Sequence, residues 1–284
     1  MKLLVVGAGE MGTWFASTVS RGLDEDTDVA FADADESVAA VAADETGARV
    51  VTGESDEHFD AVCLAVPIPA LEAAADAWGG RADRALVDVS GVMEPAVAAM
   101  ANAAPTAERV SFHPLFAADS GPGNVAVVAD APGPVTDRLR AALGATGNEL
   151  FETTAREHDE AMETVQARVH AAVLAFGLAA EDVPEPFQTP VSAAMFDLLD
   201  QVTGNDPRVY SDIQTAFDGA EDVATAAREL ADADPERFDE LYEQAGRADA
   251  GAGLTTGSTT ERESNGEGEQ EREASGEHER EADR

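Results

Sequence analysis

The residues best suited to chemistry begin at position 7. Gly7-Ala8-Gly9-Glu10-Met11-Gly12 follows the apolar run Lys2–Val6 and opens an amphipathic stretch. In that strand–turn–helix setting Gly7 allows a tight turn, Gly9 lets backbone approach a pyrophosphate, and Gly12 permits close helix packing. Glu10 and Met11 then lie in the first helical turn, whose N–H groups face the phosphates. Asp33, ending VAFAD twenty-one positions after Gly12, stands where an acid binds a ribose 2′-hydroxyl. A 2′-phosphate there would meet Asp33, Asp35 and Glu36 and no cation, so NAD is expected rather than NADP. Val66 and Pro67, closing DAVCLAVP, reach the same carboxyl edge and complete the expected cofactor set.

A proton acceptor is the second requirement, and His113 suits it. It closes Val110-Ser111-Phe112 and precedes Pro114, which places it rigidly at the carboxyl edge of a strand on the cofactor side. A neutral imidazole, with a reference pKa of about 6.5, takes up charge readily in a reaction. His58 and His278 lie in acidic, solvated stretches without metal-ligand spacing, and no metal site is expected. Cys63 sits in a continuous apolar run with no electropositive neighbour, so it belongs to the core. Lys2 is the only lysine, which excludes a Schiff base or a lysine general base elsewhere.

The elements that must position these groups can be read from the pattern of apolar residues. Short apolar runs at 2–6, 28–32, 48–51, 61–66, 85–89, 110–112 and 125–129 alternate with amphipathic stretches at 11–21, 37–43, 69–77, 94–101 and 135–145. That alternation specifies an α/β fold, an N-terminal Rossmann-type parallel sheet domain over 1–153 with helices on both faces. An all-α helical domain over 154–246 follows. It begins with a long helix carrying Met162, Val165, Val169, Val173 and Phe176 at helical spacing. A bundle of under 100 residues has a thin core, so this domain is also expected to form a homodimer. Residues 247–284, almost without apolar side chains, read as a disordered acidic tail.

Composition limits the partners. Asp and Glu number 57 against 18 Lys and Arg, a net charge of −39, which disfavours nucleic acid and anionic membrane and leaves a small molecule as substrate. Most of that charge lies outside the tail. Spread along the chain and paired with avoidance of lysine, it resembles proteins of salt-accumulating halophiles. No apolar run reaches the roughly 18 residues of a membrane span and no signal peptide is visible, so a cytoplasmic location is expected.

Several segments resemble the prephenate dehydrogenase family. SFHPLFAADSG at 111–121 is similar to the family's His-Pro-Met-Phe-Gly segment, including the Asp-Ser-Gly that follows it in some members. Glu157-His158-Asp159 with Met162, Gln166 and His170 looks like the start of its helical domain, and 205–213 resembles a later helix. The resemblance implies NAD-dependent oxidative decarboxylation of prephenate to 4-hydroxyphenylpyruvate in tyrosine synthesis. It gives His113 the hydrogen bond of the substrate's 4-hydroxyl and sets Gln166 and His170 along the substrate pocket.

Departures mark what the resemblance leaves open. The family's Asp-x-x-Ser-Val-Lys is Asp88-Val89-Ser90-Gly91-Val92-Met93 here, with Ser90, which the resemblance sets among the substrate contacts, one place early and methionine for lysine. The arginine expected after Thr189-Pro190 is missing, so Arg168 or Arg208 must supply a cation for the substrate carboxylates. Arogenate dehydrogenase is the nearest alternative, and a non-catalytic dinucleotide-binding regulator is another. A 3-hydroxyacid dehydrogenase of the 6-phosphogluconate type needs a lysine that the chain lacks.

Overall fold

A computed structural model describes residues 1–23 and 26–248. Among them one sheet contains β1 (Lys2–Val6), β2 (Asp28–Ala32), β3 (Arg49–Val50), β4 (Phe59–Leu64), β5 (Ala82–Asp88), β6 (Glu108–Pro114), β7 (Asn124–Ala131) and β8 (Glu149–Glu152). Their order is β3-β2-β1-β4-β5-β6-β7-β8. The helices of this half are α1 (Glu10–Gly22), α2 (Glu36–Thr46), α3 (Leu71–Trp78), α4 (Glu94–Ala103) and α5 (Pro134–Ala145).

Alternation along β1 explains the layers. Leu3 and Val5 face Phe15 and Val19 of α1 and Leu139 and Leu143 of α5, whereas Leu4 and Val6 face Leu71 of α3 and Met100 of α4. Burial on both faces is why 3–6 in β1 and 61–64 in β4 read as unbroken apolar runs. Phe15, Phe31, Phe59 and Phe112 are wholly buried. Each such side chain stabilises the fold by about 1.5–3 kcal/mol.

The sheet departs from the expected parallel arrangement at its far side. β7 runs antiparallel to β6, while β8 lies parallel to β7. The connection 115–123 contains no helix, and without a crossover helix the chain returns in the opposite direction. Apolar spacing does not encode strand direction, so the sequence pattern misses this reversal. It also misses β8, a four-residue edge strand bounded by glutamates with Phe151 exposed.

After Glu152 the described residues are helical: α6 (Ala155–Met162), a π-helical turn (Glu163–Arg168), α7 (Val169–Ala179), α8 (Pro190–Thr203), α9 (Pro207–Ala216) and α10 (Gly219–Asp232). Met1–Ala231 pack as one compact unit. A second unit starts at Asp232 and contains α11 (Pro235–Ala248). The tail expected beyond that helix, His278 included, lies outside the described residues.

The expected inner stripe of the long helix is only partly buried. Met162 and Val173 are buried, but Val165 and Val169 are 54% and 46% exposed, and Ala167 is buried instead. The π turn is the cause, because its wider i→i+5 spacing shifts the phase of the stripe. Gln214 of α9 donates to the Ala167 carbonyl at 2.8 Å, and Gly219 packs against Ala167 so closely that a Cβ there would lie 2.6 Å from its side chain.

Candidate functional site

Strand register brings the chemistry to one edge. Val6, Leu64, Asp88 and Ser111 stand level across β1, β4, β5 and β6. The residues just beyond them are Gly7, Val66-Pro67, Ser90-Gly91 and His113, at the carboxyl edge where ligands of open α/β sheets bind.

The glycine turn has the shape of a phosphate cradle. Gly7 has φ +96°, and a Cβ there would come within 2.2 Å of the Ala65 carbonyl oxygen; at Gly12 it would come within 2.0 Å of the Gly7 oxygen. At Gly9 nothing lies within 4 Å, and no side chain caps the N-terminus of α1. An open groove of about 920 Å³ begins at Ala8, Gly9 and Glu10 and reaches Ser37, Asp119 and Asn205. Met11 is half-buried against the core, and Val66 and Pro67 are half-buried at the end of β4. Asp33 accepts from the Ala8 N–H at 2.8 Å and the Asp35 N–H at 2.9 Å, tying the turn to β2. Each of its oxygens keeps lone-pair capacity for a ribose hydroxyl. The space at Gly9, the uncapped helix start and this acid fit a dinucleotide.

His113, 6% exposed, begins a chain of hydrogen bonds. Its Nδ1 lies 2.8 Å from His158 Nε2, and His158 Nδ1 lies 2.7 Å from Asp159 Oδ1. The Asp159 carboxylate accepts the Met93 and Glu94 N–H groups at 2.8 and 2.9 Å, at the start of α4. Burial opposes ionisation of Asp159, but the bonds from His158, Met93 and Glu94 outweigh it and hold the carboxyl below its usual range. On the other side of His113, Nε2 meets the Gln166 side-chain amide at 3.3 Å. Burial first, and His158 beside it second, bring the His113 pKa down to about 3, so the ring is neutral near pH 7.

Gly91 leaves the space into which this ring points. A Cβ on it would lie 3.6 Å from His113 Nε2 and 3.8 Å from Gln166 Oε1, and that Oε1 is buried with no partner among the described residues. Ser90, expected among the substrate contacts, has its hydroxyl committed to Asp88. Burial raises the Asp88 pKa to about 6 against the Ser90 hydrogen bonds. His170 is half-buried edge-on to Tyr210, with ring centroids 4.7 Å apart, and burial lowers its pKa. Arg168 is taken up by Asp222 and Glu163, whereas Arg208, in the first turn of α9, is exposed with no side-chain partner among the described residues. Cys63 is buried within β4 and its thiol pKa is pushed up by that burial, as its apolar run suggests.

Sequence reasoning did not single out His158, Asp159 or Gly91 as functional. The Glu157-His158-Asp159 triplet was a usable signal, but its link to His113 spans 45 positions and appears only on folding. No group of three or more His, Cys, Asp or Glu side chains among the described residues could hold a metal, and none of their helices is long and apolar enough to cross a membrane.

No protein-family model matches the chain. It is 35% identical over 173 residues to the 4-amino-4-deoxyprephenate dehydrogenase of Streptomyces pristinaespiralis, covering 57% of this chain and 58% of that relative's length. In fold it resembles the prephenate dehydrogenase of A. aeolicus solved with hydroxyphenyl propionate and NAD+, with a TM-score of 0.67 and 17% identity over 88% of this chain and 96% of that one. It also resembles the arogenate dehydrogenase of Synechocystis, with a TM-score of 0.55 and 14% identity, covering 88% and 98% of the two chains. Across the aligned stretch the chain is similar in sequence to the Streptomyces enzyme, of which it spans little more than half the length, and over most of its own length it has the fold of these dehydrogenases.

Proposed function

We propose that the protein is an NAD-dependent dehydrogenase that oxidatively decarboxylates a prephenate-type cyclohexadiene, with prephenate itself as substrate and 4-hydroxyphenylpyruvate as product. The observation that carries this reading is the buried, neutral His113, whose Nε2 faces the Gly91 space on the same carboxyl edge of the sheet as the glycine turn. NAD, when bound, supplies the hydride acceptor. Gly9 and the start of α1 hold its pyrophosphate and Asp33 its ribose, and the acids after Asp33 favour NAD over NADP. His113 Nε2 accepts the hydrogen of the hydroxyl on the carbon that loses hydride. Loss of carbon dioxide then aromatises the ring. Arg208 is the cation proposed for a substrate carboxylate, and Gln166 and His170 line the pocket.

A second reading rests on Gln166. Its buried Oε1, without a partner among the described residues, and His113 Nε2 both lie within 4 Å of a Cβ placed on Gly91, so two acceptors converge where a hydroxyl offers one hydrogen and an amino group offers two. With the likeness to the Streptomyces relative, this favours 4-amino-4-deoxyprephenate as the rival substrate. Arogenate, which differs from prephenate in its side chain, is the third. The test is NADH formation by the full chain in molar potassium chloride with each of the three, and with NADP in place of NAD. Turnover of prephenate with NAD is the expected result. Failure with all three would leave the regulatory alternative.

The helical region is proposed to pair with a second copy. Leu178, Phe187 and Val191 are 90%, 77% and 76% exposed around the α7–α8 connection, a large apolar exposure for so acidic a chain. Sedimentation in molar potassium chloride should give twice the 29.5 kDa chain mass, and Leu178→Glu with Phe187→Glu should return it to one. A monomer without those substitutions would refute the pairing. The acidic composition fits a cytoplasm rich in salt, where screening over a few ångströms relieves self-repulsion.

A further inference from the structure

His113 presents a chemical difficulty. A ring buried enough to stay neutral is well placed to accept a hydrogen bond, yet it is a poor place to leave a positive charge. The hydrogen bonds behind it suggest where the charge goes. Asp159 is held as a carboxylate by the two N–H groups at the start of α4, so it accepts and His158 Nδ1 donates. A neutral His158 then has a bare Nε2, which can only accept, so His113 donates from Nδ1. That leaves His113 Nε2 unprotonated, where it accepts from the Gln166 amide and faces the Gly91 space.

We propose that His158 and Asp159 are positioning residues that lock His113 in its Nδ1–H tautomer, and that His158 holds the transferred charge during turnover. This rests on the dehydrogenase reading. The substrate hydroxyl replaces the Gln166 amide at the single lone pair of His113 Nε2. As hydride leaves the ring carbon, the hydroxyl O–H bond breaks and His113 Nε2 takes the proton. The Nδ1–H proton of His113 passes to His158 Nε2 across 2.8 Å. His113 stays neutral with its tautomer reversed, and His158 becomes an imidazolium 2.7 Å from the Asp159 carboxylate. When carbon dioxide leaves and its electron pair enters the ring, the forming phenolate oxygen takes a proton back from His113 Nε2–H, and His158 returns its proton to His113 Nδ1. No proton is gained or lost overall. The carboxylate that steadies the cation also lines a second cavity, shared with Arg156, Glu160 and Glu163.

Three variants separate the two roles. In His158→Gln the side-chain carbonyl still accepts from His113 Nδ1–H but cannot hold a proton. In His158→Leu both lock and charge site are lost, and in Asp159→Asn the negative charge is lost. Nitrogen-15 spectra of the full-length protein should show His113 protonated at Nδ1 in the wild type and in His158→Gln, but with mixed tautomers in His158→Leu. That readout needs no substrate, so it tests the lock even if the assayed cyclohexadienes are inert. For turnover, His158→Gln and Asp159→Asn should each lower kcat about 10²-fold, within the range of general acid–base effects, with KM and NAD affinity within about twofold of wild type. The pH profile of kcat should change in both, read against the other ionisable groups facing the pair, namely Asp88, Glu94, Arg156, Glu160, Glu163 and Asp212. Retained NAD affinity checks that each variant folds. Wild-type His113 protonated at Nε2 would overturn the lock. A kcat for folded His158→Gln within twofold of wild type would overturn the charge transfer.

Discussion

His113→Asn is expected to lower turnover by about 10²–10⁴-fold while the protein folds and binds NAD as before. The size follows from position: Nε2 is the ring nitrogen facing the Gly91 space, and the amide of asparagine cannot take up a proton there. A regulator that merely binds dinucleotide would have no turnover to lose, so the variant also separates an enzyme from that alternative. The pH dependence of stability gives an independent check. The folded state holds the His113 pKa at about 3, below the usual value of 6.5, so the unfolded chain binds more protons between those limits. The neutral ring therefore contributes stability above pH 6.5 that is lost as pH falls toward 3. Asp88 acts in the opposite sense. Its folded pKa of about 6 lies above the ordinary 3.8, so it stabilises below pH 3.8 and loses that contribution as pH rises through 6. In the wild type the two slopes offset each other between about pH 4 and 6. In His113→Asn the His113 slope is lost while that of Asp88 remains, so the melting temperature relative to wild type should climb as pH falls from 6.5 to 4. A constant difference across that range would mean that His113 titrates normally in the fold.

What was legible in the sequence follows from how each interaction is encoded. Local patterns are written in neighbouring residues: the apolar run before Gly7, the spacing of the three glycines, and Pro114 after His113 all announce their geometry, and the first two strands are found with their observed limits. Strand direction is not local. The return of β7 depends on a connection too short for a crossover, and β8 is too polar and exposed to stand out. The π turn is hidden for a different reason. It is selected by tertiary contacts, Gln214 on the Ala167 carbonyl and Gly219 against Ala167, and it exposes Val165 and Val169, which helical periodicity puts inside. The same limit applies to the site. His113 could be found from its strand end, but the partners that set its tautomer arrive from α6 and α4. Ser90 and Arg168 have the right chemistry in sequence, and only the fold shows them occupied by Asp88 and by Asp222 with Glu163.

The glycine turn allows its structural and cofactor roles to be separated, because two of its glycines are indispensable for different reasons. Gly12→Ala would set a methyl 2.0 Å from the Gly7 carbonyl oxygen, a backbone atom with no rotamer by which to move away. Relief requires α1 to shift from β1, where Phe15 and Val19 are packed against Leu3 and Val5. Overpacking of this kind costs about 1–3 kcal/mol, which for a unit of this size lowers the melting temperature by roughly 2–12 °C. NAD affinity falls with it, since the N–H groups of the first helical turn move together. Gly9→Ala is the contrasting case. Its φ of −72° is open to any residue and no protein atom lies within 4 Å of the new methyl, so thermal stability should not change. The methyl instead fills the space proposed for the pyrophosphate, and NAD affinity should fall about tenfold to a hundredfold, or about 1.4–2.8 kcal/mol. Calorimetric titration with NAD alongside thermal melts reads both quantities without any need for substrate. If Gly9→Ala bound NAD as tightly as the wild type, the cradle would have to lie elsewhere on the sheet edge, and His113 would face a site without its cofactor.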